Sequence, residues 1–136
     1  MPSRRTLLAI VALFILALAW NGFLHLVVLR DANASVQHLR RPDLADKSWL
    51  GILMTLGVVT MFVWGYRKVA RTGTLQEGLG YGLAFAVLAG LLVDVNQYVL
   101  FPIPGAVALK WFTGGVVEFC LYGAVVSRVC PPPTRA

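Results

Sequence analysis

Charged side chains are scarce in this sequence of 136 residues. They make up 13% of the chain, and 6 of them are acidic, whereas hydrophobic residues make up 58%. A soluble domain is about 45–50% apolar and about 25% charged. The shortage of charge therefore argues against a water-soluble domain and indicates apolar surface that faces lipid.

Cysteine pairs and sequence motifs for catalysis are missing as well. On one continuous helix Cys120 and Cys130 would lie about 15 Å apart, too far for a disulfide bond. The sequence has no CxxC spacing, no GxxxxGKT loop, no GxSxG elbow and no HExxH pair. Its net charge of +6 is not arranged in basic clusters with interleaved aromatic residues. These absences favour a protein without catalytic activity, identify no metal or cofactor, and argue against a nucleic-acid partner.

Long hydrophobic runs are what the sequence has instead. Residues 6–29, 48–66, 78–101 and 105–129 form four apolar stretches. Each has about 19–25 residues, enough to cross roughly 30 Å of hydrocarbon as a helix that satisfies its own backbone polar groups. We therefore predict an all-α fold in which residues 1–136 form one transmembrane domain. It would be a four-transmembrane-helix bundle of antiparallel up-down topology, with the lipid bilayer around it.

The first apolar stretch also has features of a secretory signal peptide. Basic residues precede it, and Ala17-Leu18-Ala19 matches a small-residue cleavage site. The apolar run continues to Leu29, which is beyond a typical signal core. We therefore expect a retained helix.

Basic residues are distributed unequally between the two sets of loops. One set holds Arg4, Arg5, Arg67, Lys68, Arg71, Arg128 and Arg135. The other set holds Arg30, Arg40, Arg41, Lys47 and Lys110. The positive-inside rule then predicts that both termini and the basic loop 67–77 are cytoplasmic and that loop 30–47 lies outside. The tail 130–136 is rich in proline and cannot continue the fourth helix.

Prolines and small residues predict how the third and fourth helices meet. Because proline lacks a backbone N–H, Pro102 ends the third helix and Pro104 opens the fourth, so the two form a tight hairpin. Small residues recur at every fourth position of the third helix, and two glycines interrupt the fourth: Gly78, Gly82, Ala86, Gly90, Gly114 and Gly115. Such positions let neighbouring helices approach closely, and we expect helix–helix contacts along them.

Three ionisable residues lie inside the predicted helices: His25 in the first, Asp94 in the third and Glu118 in the fourth. Each has a polar neighbour at helical spacing, and these neighbours are Asn21, Gln97 and Tyr122. A charged residue at the bilayer centre costs at least ~2.5 kcal/mol on insertion scales, so it is usually paired, protonated or functional. Each residue therefore has two interpretations, a hydrogen-bonded clasp between helices or a site for an ion, a proton or a substrate.

The positions of these residues along the helices suggest that they converge. With both termini on one side, His25 and Asp94 fall in the opposite half of the bundle, and Glu118 lies deeper. Polar groups in a helical bundle normally face its interior. The hypothesis is a polar intramembrane cluster shared by three helices.

Two other residues have ordinary interpretations. Trp111 lies near a predicted helix end, where tryptophan anchors a helix at the lipid headgroups. Asn33-Ala34-Ser35 matches a glycosylation sequon, a triplet that often arises by chance.

Short motifs in the first and fourth predicted helices, and in the turn before the fourth, carry a resemblance to known proteins. They are Trp-Asn-Gly-Phe-Leu-His over 20–25, Pro-Ile-Pro over 102–104, Trp111-Phe112, Glu118 and Gly123. On these motifs the chain resembles, over most of its length, a largely uncharacterised family of small bacterial four-helix integral membrane proteins. The resemblance implies a bacterial inner membrane and no particular activity. It also implies joint action of five residues: His25, Pro102, Pro104, Trp111 and Glu118.

Three functions follow from these features. The first, which we expect, is an accessory or interaction subunit that packs in a homo-oligomer or with other membrane proteins. The second is a small transporter or proton/ion conductor that uses Glu118, Asp94 and His25. The third is a membrane enzyme or cofactor-binding subunit acting on a lipid or quinone, with His25 and Asp94 as acid–base groups.

Overall fold

The structure is a computed structural model that describes residues 3–132. The chain is 85% helical, and the described residues contain no strand. Four helices are long and apolar enough to cross a membrane. The predicted all-α fold with four long apolar helices is therefore confirmed. The last four residues of the predicted tail, Arg135 among them, lie outside the described residues.

Five helices follow one another over residues 3–132. They are α1 (Arg4–Val28), α2 (Arg30–Ser35), α3 (Ser48–Val69), α4 (Leu75–Leu100) and α5 (Gly105–Val129). Two of the long helices contain a π-helical turn, Leu24–Val28 in α1 and Leu91–Val95 in α4. Hydroxyl side chains cap the start of these same two helices, because Ser3 accepts from the Thr6 N–H and Thr74 accepts from the Glu77 N–H.

The connection between α3 and α4 is shorter than the sequence indicates. The loop predicted over 67–77 is a turn between Val69 and Leu75, in which Gly73 has a φ of +68°. The Glu77 carboxylate accepts from the backbone N–H groups of Arg71, Thr72 and Gly73 at 2.6–2.9 Å and so holds this turn. Loop 30–47 contains the short helix α2 and two 3₁₀ turns.

The closest helix pair is α4 with α5. Gly78, Gly82, Ala86 and Gly90 are all buried on α4. A Cβ added at Gly78 or Gly82 would overlap the backbone carbonyl of Gly123 or Phe119 on α5. The small side chains thus allow backbone-to-backbone contact, as expected of such a ridge. At the hairpin, α4 ends at Leu100, and Pro104 directly precedes α5.

The apolar core lies at the end of the bundle where the start of α1 meets the end of α5, here called the terminal end. Phe62 of α3 lies at its centre, with ring centroids 4.8–5.9 Å from Tyr81, Phe85, Phe119 and Tyr122. Further buried residues join from α1 and α5: Ala9, Leu13, Ala17, Val126 and Cys130. Arg67 donates to the Thr6 hydroxyl at 2.7 Å and ties α3 to α1 at this end.

The opposite end, here called the loop end, is more open. It holds loop 30–47 and the 101–104 hairpin, which pack on each other through Val36, Ile103 and Val107. The half of α3 that enters from this loop is exposed, since Ile52, Leu53 and Met54 keep more than half of their surface accessible. Because α3 joins the core only from Val59 onward, the bundle is closed at the terminal end and splayed at the loop end.

Candidate functional site

A cleft of about 400 Å³ occupies the splayed half of the bundle. The polar residues among its lining residues are Asn21, His25, Asp94, Trp111 and Glu118. They come from three helices, because α1, α4 and α5 each contribute at least one. The rest of the lining is apolar or small: Leu24, Val58, Phe85, Ala86, Ala89, Gly90, Val93, Gly115 and Phe119.

Glu118 is held by one of its two carboxyl oxygens. Its Oε1 accepts a hydrogen bond from Asn21 Nδ2 at 2.7 Å and another from the Tyr122 hydroxyl. Asn21 Nδ2 also donates to the Ala17 carbonyl at 2.9 Å, so the amide orientation is fixed. Glu118 Oε2 has no partner among residues 3–132. The carboxyl group is therefore positioned and still has a free acceptor.

His25 is positioned through a side chain of loop 30–47. Trp111 Nε1, which can only donate, bonds Asn33 Oδ1 at 2.9 Å. The Asn33 amide nitrogen must then face His25, where it lies 3.1 Å from Nδ1 and 3.1 Å from the backbone carbonyl. Because Nδ1 accepts, the imidazole is neutral and carries its proton on Nε2. The Nε2–H group is a donor that no described residue uses.

The two π-helical turns explain how α1 and α4 present their ionisable residues. His25 lies within the turn of α1, and Asp94 lies within the turn of α4. A π turn bonds i to i+5, so it inserts an extra residue and rotates the helix that follows, and such turns are frequent at functional sites. As a result Asp94 lines the cleft, while Gln97, only three residues later, lines a different hollow beside Arg40.

Several polar atoms of the cleft remain available to a ligand. Within the described residues, Tyr66 Oη is the one fully enclosed side-chain polar atom without a partner. His25 Nε2, Glu118 Oε2 and the Asp94 carboxyl oxygens also lack partners, so each must reach accessible space. All three residues line the same cleft. The arrangement therefore offers one donor and several acceptors in an otherwise apolar slot.

A second hollow of about 230 Å³ meets the cleft at Glu118. It lies against the exposed half of α3 and is lined by Gly51, Met54, Thr55, Val59 and Tyr122. Asn21, Val58 and Phe119 border both spaces. Glu118 can therefore be approached from both sides of α3.

The structure separates the predicted site residues into two groups. Asn21, His25, Asp94 and Glu118 line the cleft, and Tyr122 bonds Glu118 from the second hollow. Gln97 lies outside the cleft, because the π turn Leu91–Val95 rotates the part of α4 that follows it.

The two glycines of α5 differ in what surrounds them. A Cβ at Gly114 would contact Leu24, as expected of a packing position. A Cβ at Gly115 would meet nothing within 4 Å, and this residue borders the cleft instead. The expectation of a helix contact at Gly115 therefore does not agree with its surroundings.

Two residues outside the predicted polar cluster complete the site. Asn33 is 7% exposed and uses its amide in three hydrogen bonds, which is not the setting of a glycosylated surface asparagine. Trp111 is half-buried between the cleft and the neighbouring hollow. The sequence singles out Trp111 only through the resemblance described above and as a headgroup anchor, and Asn33 only through a glycosylation triplet.

The cleft does not resemble a metal centre. Among residues 3–132, no group of three or more His, Cys, Asp or Glu side chains is close enough to hold a metal ion. His25, Asp94 and Glu118 therefore line the cleft without forming such a group. A molecule large enough to reach several of them fits better than a single ion.

Asp43 is a carboxylate outside the cleft that offers a comparison. Its two oxygens lie 2.9 Å from Arg41 Nε and 3.4 Å from Lys47 Nζ. The Arg41 guanidinium holds the pKa of this carboxyl below its ordinary value, so Asp43 is ionised and paired at neutral pH. Asp94 and Glu118 have no basic side chain as a partner within the described residues.

No protein-family model, no curated protein and no solved structure matches this chain. The site must therefore be interpreted from its own geometry.

Proposed function

We propose that this chain is an integral membrane protein of the bacterial inner membrane that binds a small organic molecule in the cleft. Its four long helices would cross the bilayer in antiparallel up-down order. The binding site would lie between the helices in the half that faces away from the cytoplasm. Binding of this kind is the step that a small transporter or a ligand-binding subunit requires.

One observation carries the proposal. His25, Asp94 and Glu118 each leave a polar atom without a partner among residues 3–132, and all three line one cleft of about 400 Å³. Ligand sites are concave, have volumes of about 300–1,000 Å³, and combine apolar walls with a few placed polar groups. A purely structural clasp would use these polar atoms within the protein, as Asn33 does.

The proposed orientation is supported by a small excess of basic residues at the terminal end, six against five at the loop end among residues 3–132. Arg4, Arg5, Arg67, Lys68, Arg71 and Arg128 belong to the terminal end. Hydrogen bonds of Thr6 with Arg67 and with Cys130 join the start of α1 to the ends of α3 and α5. These helix ends carry the basic residues. The positive-inside rule supports a cytoplasmic location for this end, and with it both termini.

The test compares two glycines that tolerate a side chain. A Cβ at Gly115 or at Gly57 meets nothing within 4 Å, but only Gly115 lines the cleft. We would extract wild type, Gly115→Phe and Gly57→Phe gently from a bacterial host and compare their native masses. We expect a bound small molecule in wild type and in Gly57→Phe, and its loss in Gly115→Phe, where the ring fills the cleft.

Two results would contradict the proposal. One is a bound molecule that Gly115→Phe retains at the level of wild type. The other is wild-type protein that contains no bound molecule and takes up none from a total lipid and metabolite extract of the host.

An interaction subunit is the second candidate. The observation in its favour is that Gly80 and Ala84 are exposed at four-residue spacing on α4. This spacing suits close packing of another helix, from a second copy or a different membrane protein. Gly80→Leu should then reduce the mass of the extracted assembly while the ligand content stays unchanged. An assembly that is unchanged by Gly80→Leu argues against it.

A further inference from the structure

The charges that border the cleft have a single sign. Asp94 and Glu118 are its acidic residues, and no lysine or arginine among residues 3–132 lines either the cleft or the second hollow. His25 does not supply the missing positive charge, because its Nδ1 accepts from Asn33 and the ring is neutral. The nearest arginine side chain, Arg40, lines the separate hollow on the other side of Trp111.

An apolar space with uncompensated carboxyl groups is complementary to a positive charge. Taking an ionised carboxylate out of water is unfavourable unless an opposite charge pairs with it. Asn21 and Tyr122 offset part of that cost for Glu118 by donating to one oxygen. A cation in the cleft would supply the missing counter-charge for Glu118 and Asp94.

The walls of the cleft indicate that this cation is organic. Phe85, Trp111 and Phe119 present aromatic rings, which attract cations over their faces and contact apolar groups equally well. Among residues 3–132, the ionisable side chains form no group of three that could hold a metal ion, which favours an organic cation. An apolar body that carries one positive charge matches both the walls and the carboxyl groups.

The splayed end of the bundle provides a lateral route. Val58 of α3 and Val93 of α4 both line the cleft and are 40% and 55% exposed. These two helices contact each other through Phe62, Tyr81 and Phe85, nearer the terminal end. A molecule dissolved in the apolar phase around the bundle can therefore enter the cleft between α3 and α4.

We propose that the cleft binds a lipophilic organic cation, an amine or quaternary centre with an apolar body, whose charge lies between Glu118 and Asp94. This inference rests on the proposed function, because it names the chemical class of the ligand for the same site. His25 would add a hydrogen bond from Nε2 to any acceptor that such a ligand carries.

The test uses two probes of the same shape and opposite charge, tetraphenylphosphonium and tetraphenylborate. Binding to purified full-length protein in neutral-detergent micelles would be measured by equilibrium dialysis, with empty micelles as the blank. We expect saturable binding of one tetraphenylphosphonium per chain and no saturable binding of tetraphenylborate. Glu118→Gln and Asp94→Asn should each weaken the cation by about tenfold or more, which corresponds to about 1.4 kcal/mol.

Asp43→Asn is the matched control, since it removes a carboxylate that is paired on the surface. This variant should bind the cation as wild type does. Glu118→Gln keeps the oxygen that accepts from Asn21 and Tyr122, and Asp94→Asn removes no hydrogen bond, so both are expected to fold.

Three outcomes would overturn the inference. They are equal or stronger binding of tetraphenylborate, cation binding that neither Glu118→Gln nor Asp94→Asn weakens, and absence of saturable cation binding. The proposed function is judged separately by the Gly115→Phe comparison. A neutral or anionic molecule that is lost in Gly115→Phe would leave the ligand site in place and remove only its assignment to cations.

Discussion

At the scale of single residues, Asn33 holds the site together, because its side chain bonds both His25 and Trp111. A carboxylate near the middle of an apolar helix is costly, so Glu118 could be singled out without a structure. Asn33 could not, because it lies in a polar loop where an asparagine is ordinary. Its importance comes from the fold, which brings the loop over His25 and Trp111.

Removal of the Asn33 amide should therefore lower the free energy of unfolding. Asn33→Ala would leave the Trp111 N–H, the His25 carbonyl and the His25 Nδ1 without their partner. Leaving a buried polar group unsatisfied costs about 1–3 kcal/mol, so we expect a loss of unfolding free energy in at least that range. Denaturant unfolding in detergent micelles, followed by tryptophan fluorescence, would measure it.

Ser35→Ala is the control for this substitution. Ser35 is exposed and bonds only the nearby Ala32 carbonyl, so its removal should change stability little. If Asn33→Ala were as stable as Ser35→Ala, the hydrogen bonds of Asn33 would contribute nothing to stability. The fixed orientation of His25 would then lose its support.

At the scale of elements, the hydrophobic runs and the four-residue spacing of small residues are strong signals. Both follow from regular α-helical geometry, and the buried ridge of α4 has the predicted members. The π turns at Leu24–Val28 and Leu91–Val95 have no such signal. A pattern based on 3.6 residues per turn loses its phase beyond each of them. It therefore predicts Gln97 on the same side as Asp94, whereas Gln97 lines a different hollow.

Glycines in the α4–α5 contact should respond to substitution differently from glycines outside it. Gly123→Ala places a Cβ against the Gly78 backbone carbonyl, so α4 and α5 must move apart. We expect a loss of about 1–3 kcal/mol, as for other overpacked interiors. Gly80→Ala meets nothing within 4 Å and should be neutral or stabilising by up to about 1 kcal/mol through helix propensity.

Thermal unfolding of the two variants in the same micelles would measure the difference. Equal shifts for Gly123→Ala and Gly80→Ala would mean that α4 and α5 do not pack as closely as the structure has them.

At the scale of the whole molecule, composition predicts four apolar helices, but it does not predict the splay. Apolar residues on α3 are expected whether they face lipid or other helices, so the pattern does not distinguish Met54, which is 68% exposed, from fully buried Phe62. The cleft exists because only the second half of α3 joins the core. That asymmetry depends on packing between helices distant in sequence.

The proposed orientation can be tested by labelling with a membrane-impermeant maleimide. In a background with Cys120 and Cys130 replaced by alanine, we would introduce Arg41→Cys at the loop end and Thr72→Cys at the terminal end. Both positions are exposed. In intact spheroplasts only Arg41→Cys should react, and Thr72→Cys should react after permeabilisation. The reverse pattern would invert the orientation, and reaction of both in intact cells would argue against membrane crossing.

The central claim is that an accessible cleft lies beside Glu118. Its most direct measurement is the reaction of N-ethylmaleimide with Gly115→Cys in the purified, cysteine-free background, compared with Ala17→Cys. Gly115 borders the cleft, whereas Ala17 is completely buried in the core. We predict that Gly115→Cys is modified in the folded protein while Ala17→Cys remains unmodified until the protein unfolds. Equal protection of the two thiols would mean that the cleft is closed, and it would contradict the account.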